Sequence, residues 1–307
     1  MADNGDKRIA LVLGAGGARG IAHVGVIEEL LARGYGIEAV VGCSMGAMVG
    51  GVYCAGRLAE YKHWACSLTR REVFNLVDFA FGHPGLIKGD RVIGALKGLV
   101  GDHLIEQLPI PYKAVATDLD GRREVWIAEG QLFDAIRASI AIPMLLTPYH
   151  YMGLDLVDGG LVAPLPISGA SEFRNLRVVA VDINAAIAKP SAPEGPVSSV
   201  QCEANPEPAG ISAIQQGWSR LLRSVGKGSA AAPSIRVNRN VMDLMSRSLS
   251  TMHGCMTELQ MQRNPPDVLI GIPHDACAVY EFWRAHEMIE LGRQAASHAL
   301  DQFEAGN

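Results

Sequence analysis

Apolar residues come in short unbroken runs and in helical spacing, and the two patterns alternate from the start of the chain. Residues 8–13 (RIALVL) form a compact apolar run that ends in glycines, as expected of a buried strand. Across residues 18–33, Ile21, Val24, Ile27, Leu30 and Leu31 share one face of a helix, which Gly34 closes. Residues 37–41 read as a second strand and 45–55 as a second helix, built of small residues. A β-α-β-α opening predicts a parallel sheet with helical crossovers. Residues 58–69 continue as helix. Further strands are expected at 113–119, 124–128, 154–158, 178–183 and 267–272, and further helices at 131–139, 211–225, 240–262 and 281–303. Residues 189–210 hold five prolines and no apolar rhythm, the composition of a long loop or linker. The expected organisation is an α/β domain over 1–188, that linker, and a helical C-terminal part over 211–307 packing back on the sheet. No internal repeat is visible.

Composition narrows the classes. Of 307 residues, 49% are hydrophobic and 19% charged, which excludes disorder as the dominant state. A net charge of -5 lacks the basic excess of a dedicated nucleic-acid binder. The six cysteines (Cys43, Cys54, Cys66, Cys202, Cys255, Cys277) include no C-x-x-C pair, so reduced thiols and a cytoplasmic setting are expected. Residues 39–56 run 18 positions without a charge and carry Gly42, Gly46 and Gly50 at membrane-helix spacing. Five glycines, no aromatic belt and no basic flank favour a buried strand followed by a buried helix. The run at 9–18 resembles a signal-peptide core, but reads better as a strand feeding a glycine turn. Glycine is in excess at 34 residues, and thirteen of them fall in the first 56.

Two of those glycine clusters carry candidate chemistry. Gly42-Cys43-Ser44-Met45-Gly46 is a G-x-S-x-G between an expected strand and an expected helix, the context in which a sharp turn exposes a nucleophilic serine. The start of the next helix then aims its dipole at developing negative charge. The run Gly14-Ala15-Gly16-Gly17-Ala18-Arg19-Gly20 allows several readings. A dinucleotide site needs glycine where Arg19 stands and an acidic residue where Cys43 and Ser44 stand. A P-loop lacks its G-K-S/T. An oxyanion hole made of backbone N–H groups, or a plain tight turn, both remain open. For a partner to Ser44, His253, His274, His286 and His298 lie late enough for a Ser-acid-His order. Leu156-Val157-Asp158-Gly159-Gly160 instead puts a carboxylate at a strand end on a glycine turn.

Together these motifs resemble the patatin-like phospholipase family, particularly bacterial members similar to the catalytic part of neuropathy target esterase. The carriers are G-G-x-R-G at 16–20, G-x-S-x-G at 42–46 and D-G-G at 158–160. Gly85-Leu86-Ile87-Lys88-Gly89, Ala116-Thr117-Asp118-Leu119 and 137–143 (RASIAIP) support them. The resemblance covers residues 8 to about 185. It implies a three-layer α/β/α fold with a central, mostly parallel sheet and helices on both faces. It also implies a Ser44–Asp158 dyad without histidine, and an oxyanion hole from Gly16, Gly17, Ala18 and Arg19. Gly14, Gly20, Gly42, Gly46, Gly159 and Gly160 would shape the turns. The implied activity is hydrolysis of phospholipid or lysophospholipid acyl esters, with no metal or cofactor. The protein would be cytoplasmic and touch the inner membrane face peripherally. Two positions depart from the family pattern: Ala15 stands where many members have a third glycine, and Ala163 precedes Pro164 where many have Asn or Asp. A non-hydrolytic lipid-binding or regulatory protein on the same fold is the rival reading.

Other residues have plainer expectations. Arg19 orients the glycine turn or pairs with a carboxylate. Asp118 orders the site's edge or caps a strand. Cys43 packs, and His23 is a core residue. Phe74, Leu76, Phe79 and Phe81 pack under a loop or form a lid.

Overall fold

The structure is a computed structural model that describes residues 7–77, 87–143, 145–187 and 239–306. Ile9, Leu11 and Leu13 of β1 (Arg8–Leu13) enter one apolar cluster, while Ala10 and Val12 enter another. A strand apolar on both faces must be covered on both faces, and β1 lies mid-sheet. It pairs in parallel with β2 (Gly36–Cys43) on one side and β7 (Arg177–Ala185) on the other. Beyond β7 runs β8 (Val268–Pro273), also parallel.

At the other end β3 (Tyr112–Asp118) organises the sheet. The antiparallel β4 (Arg123–Ile127) follows one edge of it from Ala114 to Asp118. The opposite edge is shared. The parallel β2 pairs with Tyr112–Val115 there, and the antiparallel β6 (Leu154–Asp158) takes over from Ala116. A short β5 (Tyr149–Tyr151) closes the order beside β6.

The first face is covered by α1 (Ala22–Ala32), α2 (Met45–Cys54) and the long α8 (Ala285–Gly306). The helices α3 (Leu58–Ser67), α5 (Asp90–Val100) and α6 (Leu132–Ser139) extend that layer. A short α4 (Arg70–Asn75) is capped by Thr69 and Glu72, each bonding the other's backbone N–H. The second face is covered by Leu165, Ile167 and Ala170 and by α7 (Arg239–Arg263), whose Met261 packs there. The result is a three-layer α/β/α architecture around a mixed, mostly parallel sheet. The described residues before 188 and after 238 belong to one compact unit.

The uncharged stretch 39–56 is the end of β2 followed by α2, so its hydropathy reflects double-sided burial. Among the described residues no helix is long and apolar enough to cross a membrane. The helix expected over 18–33 begins later: Gly17–Ile21 is a tighter 3-10 turn and α1 starts at Ala22. The helix expected at 211–225, and Phe79, Phe81 and Cys202, lie outside the described residues.

Candidate active site

The shared edge of β3 brings the two candidate groups together. Cys43 pairs with Val115, and Asp158 pairs with the next residue, Ala116. Strands β2 and β6 thus run toward each other along one edge and stop head to head. Ser44 leaves the end of β2 and Asp158 is the last residue of β6. The Ser44 Oγ donates to Asp158 Oδ2 at 2.5 Å, across 114 positions of sequence. That is the short length of a hydroxyl bonded to a carboxylate.

Ser44 holds a conformation that side chains rarely adopt, with φ 55° and ψ -121°. Such a residue costs of order 1–3 kcal/mol and persists only where its surroundings over-determine it. Here they do. Its N–H donates to Ser139 Oγ (2.9 Å), which donates in turn to the Val115 carbonyl (2.6 Å). Gly46 lies against the Leu13 and Gly14 carbonyls, where any Cβ would collide with backbone. The turn can therefore fold down on β1 only with glycine at 46.

Asp158 is fixed as firmly. Its N–H donates to the Ala141 carbonyl (2.9 Å), its carbonyl accepts from Thr117 Oγ1 (2.9 Å), and its Oδ1 accepts from the Gly160 N–H (2.7 Å). Burial raises its pKa to about 6, against the lowering effect of bonds from Ser44, Gly160 and Cys43. The apolar wall is specific: Ala15, Cys43, Val115 and Ala163 form one small cluster. The two alanines that depart from the family pattern meet in it, so both departures exclude water from the same place. Burial pushes the Cys43 thiol well up, which makes it a packed, unreactive group.

The glycine turn at 14–20 is held by its own backbone and by one arginine. The N–H groups of Gly14, Ala15 and Ala18 donate to the carbonyls of Val181 (3.1 Å), Pro164 (2.8 Å) and Val279 (2.9 Å). Three donors are therefore already satisfied, which removes the phosphate cradle a dinucleotide site requires. It also corrects the expectation for Ala18, whose N–H is not available to an oxyanion here. The N–H groups of Gly16 and Gly17 have no protein acceptor among the described residues. The buried Arg19 guanidinium donates to the Gly16 carbonyl (3.3 Å), to Asn184 Oδ1 (2.8 Å) and to the His274 carbonyl. Asn184 Nδ2 donates back to the Ala15 carbonyl (2.5 Å). Arg19 is thus a clamp on the turn.

Ser139 and Asn184 were not singled out from the sequence. Ser139 sits inside the quoted RASIAIP motif, while nothing local marks Asn184. Asp118 accepts from Gly121 N–H (2.9 Å) and Arg123 Nε (3.1 Å), and so caps the β3–β4 turn. His23 is fully buried, its Nε2 donating to the Gly14 carbonyl (2.9 Å). Phe74 is 69% exposed and does not pack in the core.

The family model of patatin-like phospholipases matches residues 11–171. The chain belongs to that family. An uncharacterized NTE family protein of Mycobacterium tuberculosis is 36% identical over 97% of this chain and 92% of its own length. A lysophospholipase of Mycosarcoma maydis is 35% identical over 57% of this chain, which amounts to 10% of that much longer protein. Among solved structures, VipD from Legionella pneumophila shares the fold at 12% identity. Its TM-score is 0.53, covering 97% of this chain and 67% of that one. The family match ends at Ser171, so α7, β8 and α8 lie beyond it, while the Mycobacterium relative, matched over 97% of this chain, spans them too.

Proposed function

We propose that this protein is a serine hydrolase of lipid acyl esters, acting on phospholipids or lysophospholipids through Ser44 and Asp158. The observation that carries the proposal is the 2.5 Å hydrogen bond between the Ser44 hydroxyl and a desolvated carboxylate. Membership of a phospholipase family supports the substrate class.

The chemistry follows from the groups present. Ser44 Oγ attacks the ester carbonyl and its proton passes to Asp158 Oδ2. An ordinary carboxylate near pKa 3.9 is a poor base; one at about 6 lies closer to the operating pH and takes the proton more readily. The Gly16 and Gly17 N–H groups supply donors for the oxyanion, and the Arg19–Asn184 clamp keeps them oriented. Asp158 then returns the proton to the departing alkoxide. An acyl ester remains on Ser44, and water hydrolyses it with Asp158 as base once more.

Fluorophosphonate labelling tests the proposal. The wild-type protein should label at Ser44 and Ser44→Ala should not, with labelling read by mass spectrometry of the modified peptide. A folded wild-type protein that stays unlabelled and cleaves no ester would leave the non-hydrolytic lipid-binding reading in its place.

A further inference from the structure

The chemistry above leaves one imidazole at the site unused. His253 lies on α7, which reaches this end of the sheet from a different layer and from far along the chain. Its Nε2 is 3.1 Å from the point where a Cβ on Gly160 would stand. Asp158 Oδ1 is 3.0 Å, and the Ala15 Cβ 3.3 Å, from that same point. The ring nitrogen and the carboxylate oxygen therefore lie within about 6 Å of each other beside Gly160. Two polar groups within that reach, and not bonded to each other, can share one bridging water. A side chain at 160 would press on both groups.

The ring makes no hydrogen bond to the described residues. Burial first, and then the positive charge of Arg19, hold it neutral, with a pKa near 4. A neutral imidazole offers one N–H donor and one acceptor nitrogen. It is too weak a base to compete with Asp158 for the serine proton at neutral pH, yet well suited to orient a water.

We propose that His253 orients the hydrolytic water, holding it beside Asp158 for attack on the acyl group carried by Ser44. This rests on the acyl-enzyme reading above and adds the group that serves its second half. The water oxygen bonds to the acyl carbon as its proton passes to Asp158. The bond from the acyl carbon to Ser44 Oγ then breaks, the carboxylic acid leaves, and Asp158 returns its proton to Ser44 Oγ. His253 makes and breaks no covalent bond.

The test separates the two half-reactions. His253→Ala and His253→Gln are compared with wild type on p-nitrophenyl butyrate, with acid quench during turnover and the acylated fraction read by intact mass. In His253→Ala the acylated fraction should rise and turnover should fall about tenfold or more. Fluorophosphonate labelling of Ser44 should stay close to the wild-type rate. Hydroxylamine, a stronger nucleophile than water, should restore turnover in this variant more than in wild type. His253→Gln keeps hydrogen-bonding capacity and should fall between the two, and it decides the question if His253→Ala does not fold. Unchanged turnover overturns the proposal, as does a folded variant that loses labelling together with turnover. Failure of the underlying hydrolase reading looks different, because wild type itself then neither labels nor turns over.

Discussion

Asp158 is where function and stability oppose each other. Its carboxyl is pushed up from an ordinary 3.8 to about 6, so between those values the folded protein holds a proton that the unfolded chain does not. Stability from this group is therefore greatest below about 4 and is lost as pH rises through 6, by about 3 kcal/mol at 1.36 kcal/mol per unit. Activity runs the other way, since the base must be ionised: esterase rate should fall as pH drops through about 6. Asp158→Asn keeps the shape and can still accept from Gly160. It should lower turnover by about 10²–10⁴-fold. Its urea stability at pH 8 should equal or exceed wild type, and it should lose that advantage by pH 4. A variant destabilised at pH 8 would mean the carboxylate is not strained by burial. At this scale Ser44 and Asp158 were legible in the sequence because each sits on a local glycine turn that only a few chemistries need. Asn184 and His253 were not. Each matters through a neighbour 93 or more positions away, and no local pattern records that.

Among the elements, α1 and α8 show how tightly the layers are built. A Cβ on Gly25 would collide with the Ile289 carbonyl, and a Cβ on Gly292 with the Ala22 carbonyl. The two helices touch backbone to backbone at two reciprocal points. Gly25→Ala and Gly292→Ala should each cost about 1–3 kcal/mol through overpacking, measured by denaturant unfolding. Once either alanine has forced the helices apart, the second meets less resistance, so the double variant should lose less than the two singles together. Strictly additive losses would show that the contacts yield independently. Strands and long helices were readable from apolar periodicity. The 3-10 start at Gly17–Ile21 was not, because it is held by groups distant in sequence: Asn184 and the His274 carbonyl on Arg19, and the Val279 carbonyl on Ala18. Helix α5, absent from the sequence reading, is amphipathic with only Ile93, Ala95, Leu96 and Val100 buried, and Gly94 and Gly98 dilute its pattern.

For the whole molecule, the C-terminal segment completes the fold it closes. Met288, Ile289, Leu291, Ala296 and Leu300 of α8 are buried in the same cluster as Leu11 and Leu13 of β1. Around them Lys7, Arg33 and Tyr35 all reach Glu304. A chain ending after residue 284 should expose that apolar face and fail to give a cooperative thermal transition by circular dichroism. A stable, monomeric truncation would show that the sheet carries itself. The α/β class was legible because β1 is apolar from Ile9 to Leu13 and β2 is uncharged from Ala39 onward, each running into a glycine turn and a helix. The head-to-head meeting of β2 and β6 was not, because it depends on β3 switching partners between Val115 and Ala116.

The position of β1 also orders events in time. It is made before β7, the strand that pairs along one of its edges and that follows more than 160 positions later. One of its edges must therefore wait, unpaired, until β7 has been made, although β2 reaches the other edge early. Contacts this far apart in sequence make for slow, non-local folding, and a waiting apolar strand is what chaperones bind and aggregates recruit. In the cell, the yield of this protein will be set less by the stability of its finished core than by how well the open edge of β1 is kept from other partners until β7 arrives.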